Sequence, residues 1–247
     1  MKRKQILEIN ATAFDSYAEN YIKTRWGKDK KNYGIVKENI IKFLKPGKDD
    51  AVLDVGCGPG TWSKIIAKHA KKVVGIDVSP SMIETAKKNC KNCIFKVAPG
   101  ENIPYKDAAF TKILSVRAIE YSPNKIGMLK EFNRVLKQDG KVVIVTKSTP
   151  CIWRIPGKVL NVIKEPARVK RLFDRMYKMG YWMEKISPPR LRKMLKACGF
   201  RDIEDYALTF SLGEAFGTNE SLLRLLARIF RPFYYLFCES YIVVAKK

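Results

Sequence analysis

The chain is poor in the residues from which most acid–base and metal sites are built. It has a single histidine, His69, in 247 residues, and that residue closes the helical stretch after a glycine-rich turn, where it reads as structural. A histidine-based proton shuttle or a His-containing zinc set is therefore not expected, and no metal is assigned. Six cysteines (57, 90, 93, 151, 198 and 238) follow no repeating interval and one sits inside the glycine turn, the pattern of reduced thiols rather than of a disulfide framework. Cys90-Lys91-Asn92-Cys93 has no second pair near it and reads as a helix end followed by the first residue of a strand. No uncharged apolar run reaches the roughly 20 residues of a membrane span. Met1-Lys2-Arg3-Lys4 is followed by neither a continuous apolar core nor a small-residue cleavage site, so a cytoplasmic location is expected. Acidic residues are scarce too: 24 Asp and Glu face 48 Lys and Arg, a formal charge of +24. The surplus is densest in residues 151–200, with 13 basic against 3 acidic residues, which points to an anionic partner such as nucleic acid, a membrane surface or an acidic substrate.

What the chain does have is Ala51 to Gly60, AVLDVGCGPG. The apolar Ala-Val-Leu-Asp-Val fits a buried parallel strand, broken by Gly56, Cys57, Gly58, Pro59 and Gly60 before a helical pattern starts at Thr61. A second run, Val73 to Ile76, ends in Asp77, 21 residues beyond Gly56, the spacing at which a nucleotide-binding α/β unit presents an acid to ribose hydroxyls. A dinucleotide site wants a third glycine where Thr61 stands, and Asp54 would face a pyrophosphate unfavourably. A carboxylate instead suits a ligand carrying an ammonium and a sulfonium, so the predicted cofactor is S-adenosylmethionine.

At this point the chain resembles the class I S-adenosylmethionine-dependent methyltransferases. Asp77-Val78-Ser79-Pro80-Ser81-Met82 is similar to the family's acid-x-Ser-x-x-Met segment. Gly100 to Tyr105 resembles its adenine-side Ala-Glu-x-Leu-Pro-Phe, and Glu131 to Gly140 its Glu-x-x-Arg-Val-Leu-Lys-Pro-Gly-Gly. The resemblance implies a doubly wound, mostly parallel seven-stranded Rossmann-like α/β sheet with N-terminal helices and an inserted helical cap. Alternating strands and helices at 72–76, 80–89, 93–97, 110–116, 123–137 and 141–146 support the parallel core, and closing strands at 201–208 and 239–245 complete it. The whole of 1–247 is then one domain, with a helical lid over 1–48 and a basic, aromatic insertion over 150–187.

Ligands bind beyond the carboxyl ends of such strands, which nominates Asp54, Gly56, Gly58, Gly60, Asp77, Val78, Gly100, Glu101, Asn102, Val116 and Arg117 as cofactor residues, with Met82 added by the resemblance. Two helices are expected ahead of the first strand, Ala13 to Lys23 and Tyr33 to Leu44. Tyr17, Tyr21 and Arg25 share one face of the first; in the family such helices close over the cofactor, with Tyr17 and Arg25 then on its methionine end and Tyr21 beside the chemistry, although both tyrosines packing on the sheet is the plainer alternative. In the loop after the fourth strand Glu120 is the carboxylate that could act as a general base, or it caps the next helix or pairs with Arg117. Two positions depart from the family: Ala98-Pro99 replaces an acid near the adenine, and Thr111 replaces an Asp.

The activity implied is in-line methyl transfer to a small acceptor, apolar or of lipid or quinone type, walled by the insertion. RNA methylation and a non-catalytic cofactor-binding module are the rival readings. The Leu222 to Phe237 stretch, with Arg224, Arg228 and Arg231 among apolar residues, fits either a helix lying on an anionic membrane or one packed between insertion and sheet.

Overall fold

A computed structural model describes residues 2–16, 18, 30–148, 183–210 and 238–247. Helix α1 (Arg3–Asp15) and helix α2 (Lys30–Leu44) precede strand β1 (Ala51–Val55). Then come α3 (Thr61–Ile66), β2 (Lys72–Asp77), α4 (Pro80–Asn89), β3 (Ile94–Val97) and β4 (Phe110–Val116). A 3-10 turn at Ile119–Tyr121 leads into α5 (Lys125–Val135) and β5 (Leu136–Lys147), and α6 (Pro188–Ala197), β6 (Arg201–Phe210) and β7 (Cys238–Lys246) follow. The seven strands form one sheet in the order β3-β2-β1-β4-β5-β7-β6. The first five run parallel and β7 is antiparallel to both its neighbours. The strand order reverses between β1 and β4, the switch point where an open α/β sheet leaves a crevice at its carboxyl edge.

Alternation along the strands assigns two cores. Leu53, Val55, Val74, Ile76 and Ile113 face Phe132, Leu129 and Leu195 on one side, while Val52, Val73 and Leu114 face Ile40, Leu44, Trp62 and Ile66 on the other. Local signals set the helix starts. Ser79 accepts the Met82 N–H at 3.1 Å with Pro80 at the first helical position, and Asn124 accepts the Gly127 N–H at 3.1 Å, each satisfying an orphan amide of the first turn. The Glu131–Arg134 pair of the motif is architectural: Glu131 takes the Ile103 N–H at 2.8 Å, while Arg134 bonds the Ile103 and Tyr105 carbonyls and Asp107. It fastens the 100–107 loop to α5. That pairing holds the Glu131 carboxyl below, and the Arg134 guanidinium above, their usual ranges.

Three expectations are corrected. The first helix starts at Arg3, not Ala13, because Leu7, Asn10 and Phe14 already fall three and four residues apart on one face. Tyr17, Tyr21 and Arg25, nearly all of the insertion and the 222–237 stretch lie outside the described residues. Helix α5 ends at Val135, since Leu136 is extended (φ −79°, ψ 136°) and pairs with Phe110. Cys90 and Cys93 are not reduced: a turn in which the Cys93 N–H meets the Cys90 carbonyl at 3.2 Å sets their Cα atoms 5.5 Å apart, and a disulfide joins them. Cys57, Cys198 and Cys238 are buried thiols outside that disulfide.

Candidate active site

The carboxyl edge of β1, β2 and β4 carries an open cleft that encloses about 660 Å³ of space continuous with solvent at its mouth. Of the predicted residues, Gly56, Gly58, Asp77, Val78, Met82, Gly100, Glu101 and Arg117 line it. Gly56 and Gly58 both hold left-handed backbone, at φ 71° and 51°, but for different reasons. A Cβ on Gly56 would stand 2.2 Å from that of Ala118, so this glycine lets the loops after β1 and β4 touch. A Cβ on Gly58 would meet only the Met82 Sδ at 3.9 Å, leaving its backbone bare toward the cleft. Asp77, half-buried at the cleft, accepts the Gly58 N–H at 2.8 Å and the Ser79 N–H at 3.0 Å. Burial raises its carboxyl above the usual range and those amides oppose the shift.

The other nominees stand off the wall. Asp54 points to the opposite face of β1 from Val55; it is fully buried, accepts the Ser63 hydroxyl at 2.6 Å, and has no partner for Oδ1. Burial pushes its carboxyl up to about 7; the Ser63 bond lowers it and the charge of Asp77 raises it further. In this position Asp54 ties β1 to α3 behind the cleft. Gly60 caps α3 and packs against Ala86 and Phe95, Val116 belongs to the far core, and Asn102 is an exposed turn residue whose N–H meets the Pro99 carbonyl. Glu120 is fully buried, its Oε1 3.0 Å from the Arg117 Nε and its Oε2 accepting the Thr146 hydroxyl at 2.7 Å. It does not line the cleft, which corrects the reading of it as a base facing the acceptor and favours the pairing alternative. Arg117 itself sits at φ 58°, 9% exposed, with its N–H on the Val145 carbonyl at 2.7 Å. A non-glycine residue held in left-handed backbone at a cleft wall is the kind of strain that the surroundings must enforce.

Sequence reasoning missed the wall from α1 and the 3-10 turn. Leu7, Asn10 and Phe14 face Tyr121 and Met128 across the cleft. The Phe14 and Tyr121 rings meet edge to face at 5.1 Å, and the Asn10 amide donates to the Tyr121 carbonyl at 3.0 Å. Asp15 at the end of α1 accepts the Ser79 hydroxyl and the Ser81 N–H. The i, i+3, i+7 spacing of Leu7, Asn10 and Phe14 was the available signal. On the other flank the Glu184 N–H meets the Glu120 carbonyl at 2.8 Å, and the Glu184 side chain joins the buried Lys125 and Arg190.

These residues fit S-adenosylmethionine: a bare left-handed backbone turn, an acid at the end of β2, a second acid in Glu101, and an apolar slot between Met82 and Ala98. A model of the methyltransferase domain family matches residues 53–144. The chain is 31% identical over 95% of its length to an uncharacterised protein of Methanocaldococcus jannaschii, 89% of which is covered. It is 30% identical to a ubiquinone/menaquinone biosynthesis C-methyltransferase of Citrifermentans bemidjiense, over 68% of this chain and 78% of that one. Geranyl diphosphate C-methyltransferase from Streptomyces coelicolor, solved with S-adenosylhomocysteine, shares the fold at a TM-score of 0.61 and 16% identity, covering 87% and 79% of the two chains. The chain belongs to the class I S-adenosylmethionine-dependent methyltransferases. It is an enzyme, and S-adenosylmethionine is its cofactor, so the non-catalytic reading falls. Among the described residues no helix is long and apolar enough to cross a membrane.

Proposed function

We propose that the protein methylates a small, largely apolar acceptor bearing a ring hydroxyl, of the quinol class. The observation that carries this reading is the placement of Arg117, a buried cationic residue lining a cleft that also presents Leu7, Phe14, Ala118, Tyr121 and Met128. The similarity to quinone methyltransferases supports the same acceptor class. Bound S-adenosylmethionine supplies an electrophilic methyl group. Gly58, Asp77, Val78 and Met82 would hold its nucleoside end, with Asp77 accepting from ribose hydroxyls. On the acceptor side the aromatic pair Phe14–Tyr121 takes the ring and excludes water. Arg117 favours binding of the acceptor as its phenolate, whose proton has gone to solvent before the cleft closes on the ring, and charge at that oxygen raises the nucleophilicity of the ring. In an apolar cleft such a fixed cation acts far more strongly than in water. Glu120 and Thr146 aim the guanidinium rather than take the proton.

Mass spectrometry of cell extract incubated with the protein and methyl-labelled cofactor tests the acceptor class. Label should enter an extractable apolar compound, and Arg117→Lys should lower kcat while cofactor affinity stays within a few-fold. Label in RNA or in a polar amine would overturn the assignment.

A further inference from the structure

The amino edge of the sheet, opposite the cleft, carries a row of basic residues set by strand register. Lys72 of β2 pairs with Ala51; the next residue of β1, Val52, pairs with Lys112 of β4. Lys112 pairs with Lys141 of β5, Lys141 with Lys246 of β7, and Lys246 with Arg201 of β6. Five of the six strands from β2 to β6 thus present a cation within one residue of the same level, Lys72 on the face of Ala51 and the other four on the face of Val52, over about 24 Å at the spacing of adjacent strands. Exposed Lys48 and Lys71 extend it from the loops beneath. Three acids answer the row: Asp50 pairs with Lys112, Asp139 with Arg201 and Asp202 with Lys246.

We propose that this edge is a docking surface for the phosphate backbone of a nucleic acid. The surplus has a physical cost that a bland solvated face would not carry. Lys141 is half-buried, its ammonium bonded to the Phe43 carbonyl at 3.1 Å. Burial first, then the charges of Lys112, Lys45 and Lys246, pull it below the usual lysine range, opposed by Asp50. Lys112, Lys45 and Lys246 crowd Lys141 with Asp50 on Lys112 and Asp202 on Lys246 as the acids between them, a surplus of cations that a polyanion relieves. A bilayer is the poorer fit, because interfacial seating combines cations with exposed large apolar side chains. Among the described residues those are Ile9, Ile94, Val97 and Ile126, and none stands in the row; Ile94 is in register with Val74, two residues up from Lys72. Because the row lies at the far end of the strands from the cleft, the nucleic acid is a tether and not the methyl acceptor.

The test is fluorescence anisotropy of a labelled oligo-uridine of about 20 nucleotides, longer than the roughly 4–16 that one single-strand site covers. Two variants of equal charge are compared: Lys48→Glu/Lys71→Glu/Lys72→Glu on the row, and Lys37→Glu/Lys130→Glu/Lys193→Glu, all exposed, on the helix faces. Cofactor binding, unchanged in both, reports that they are folded; the same positions changed to Gln replace any triple that is not. The row variant should bind at least tenfold more weakly, with the slope of log K against log salt shallower by about 2, as expected when three phosphates of a single strand are no longer neutralised. The face variant should stay within about twofold. An equal loss in both variants, no binding by the wild type at about 50 mM salt, or capture by phosphatidylserine vesicles without binding of the oligonucleotide would each overturn the proposal.

Discussion

Two loops meet at the switch point of the sheet, and they solve the same geometric problem by opposite means. The loop after β1 reaches left-handed backbone with glycines at 56, 58 and 60, which adopt it at no steric cost. The loop after β4 reaches it with Arg117, whose backbone costs about 1–2 kcal/mol there. Its side chain pairs with Glu120, which Thr146 holds in turn. A loop that offers bare backbone to a cofactor shared across a family can be made of glycine. A loop that must present a charged group at the same place has to keep the side chain and be braced from behind.

The largest effect should come from joining the two loops by force. Gly56→Val places a Cβ 2.2 Å from that of Ala118; the first loop cannot retreat without breaking the bonds of Gly56 and Cys57 to the Ile76 carbonyl, nor the second without straining that of Arg117 to the Val145 carbonyl. A loss on the order of 5 kcal/mol is expected, enough to unfold a marginal domain. Gly58→Ala, facing the open cleft, should leave the thermal midpoint within a few degrees and weaken cofactor binding instead. If calorimetry shows both variants losing the same thing, the two glycines do not have separate tasks.

Next in size is the brace. Glu120→Leu leaves the Arg117 guanidinium buried without its carboxylate, a change that costs about 3–5 kcal/mol for an interior pair. Glu120→Gln keeps a hydrogen-bond acceptor and should cost less in denaturant midpoint. Because Glu120 acts through Arg117, its Gln variant should lower kcat without removing the alkaline or acidic limb of the pH–rate profile. Disappearance of one limb would restore Glu120 as the proton acceptor.

Legibility follows the same division. Gly56, Gly58 and Asp77 were readable because backbone conformation and strand spacing restrict which residues can stand there, and the topology followed from alternating strands and helices. The surroundings of Asp54 were not legible because its identity is compatible with either face of β1; only the alternation with Val55 at the cleft decides that it points to Ser63. The direction of Glu120 could not be read from its place in the loop: the 3-10 segment turns it inward, where Thr146 stands on β5. Helix α1 was overlooked because its interior face includes the polar Asn10, buried against a backbone carbonyl that no sequence pattern announces.

On the cofactor side, Asp77→Ala removes an acid whose two oxygens already hold the Gly58 and Ser79 amides. Leaving a buried polar group unmatched costs about 1–3 kcal/mol, so titration calorimetry should show cofactor affinity falling roughly ten- to hundredfold. Arg117→Met should leave it nearly unchanged. Equal losses would mean that the two loops bind the same part of the ligand.

The smallest difference is in the helix caps that anchor each side of the cleft. Ser79 heads α4 next to Asp77; it accepts the Met82 N–H and donates its hydroxyl to Asp15 of α1. Asn124 heads α5 beyond the Arg117 loop; its side chain accepts the Gly127 N–H and lies where a Cβ on Gly127 would fall, 2.2 Å from Nδ2. Losing an N-cap costs about 1 kcal/mol, so Asn124→Ala should lower the thermal midpoint by about 2–4 °C, the scale for a chain of this length. Ser79→Ala forfeits the cap and the tie to α1 together, and should lower it further while also loosening the Phe14 wall of the cleft. Scanning fluorimetry of the two variants and of an Asp15→Ala control checks this. If Ser79→Ala and Asn124→Ala shift the midpoint equally, and Asp15→Ala not at all, the Asp15 bridge contributes nothing and α1 is held on the cleft by Asn10 and Phe14 alone.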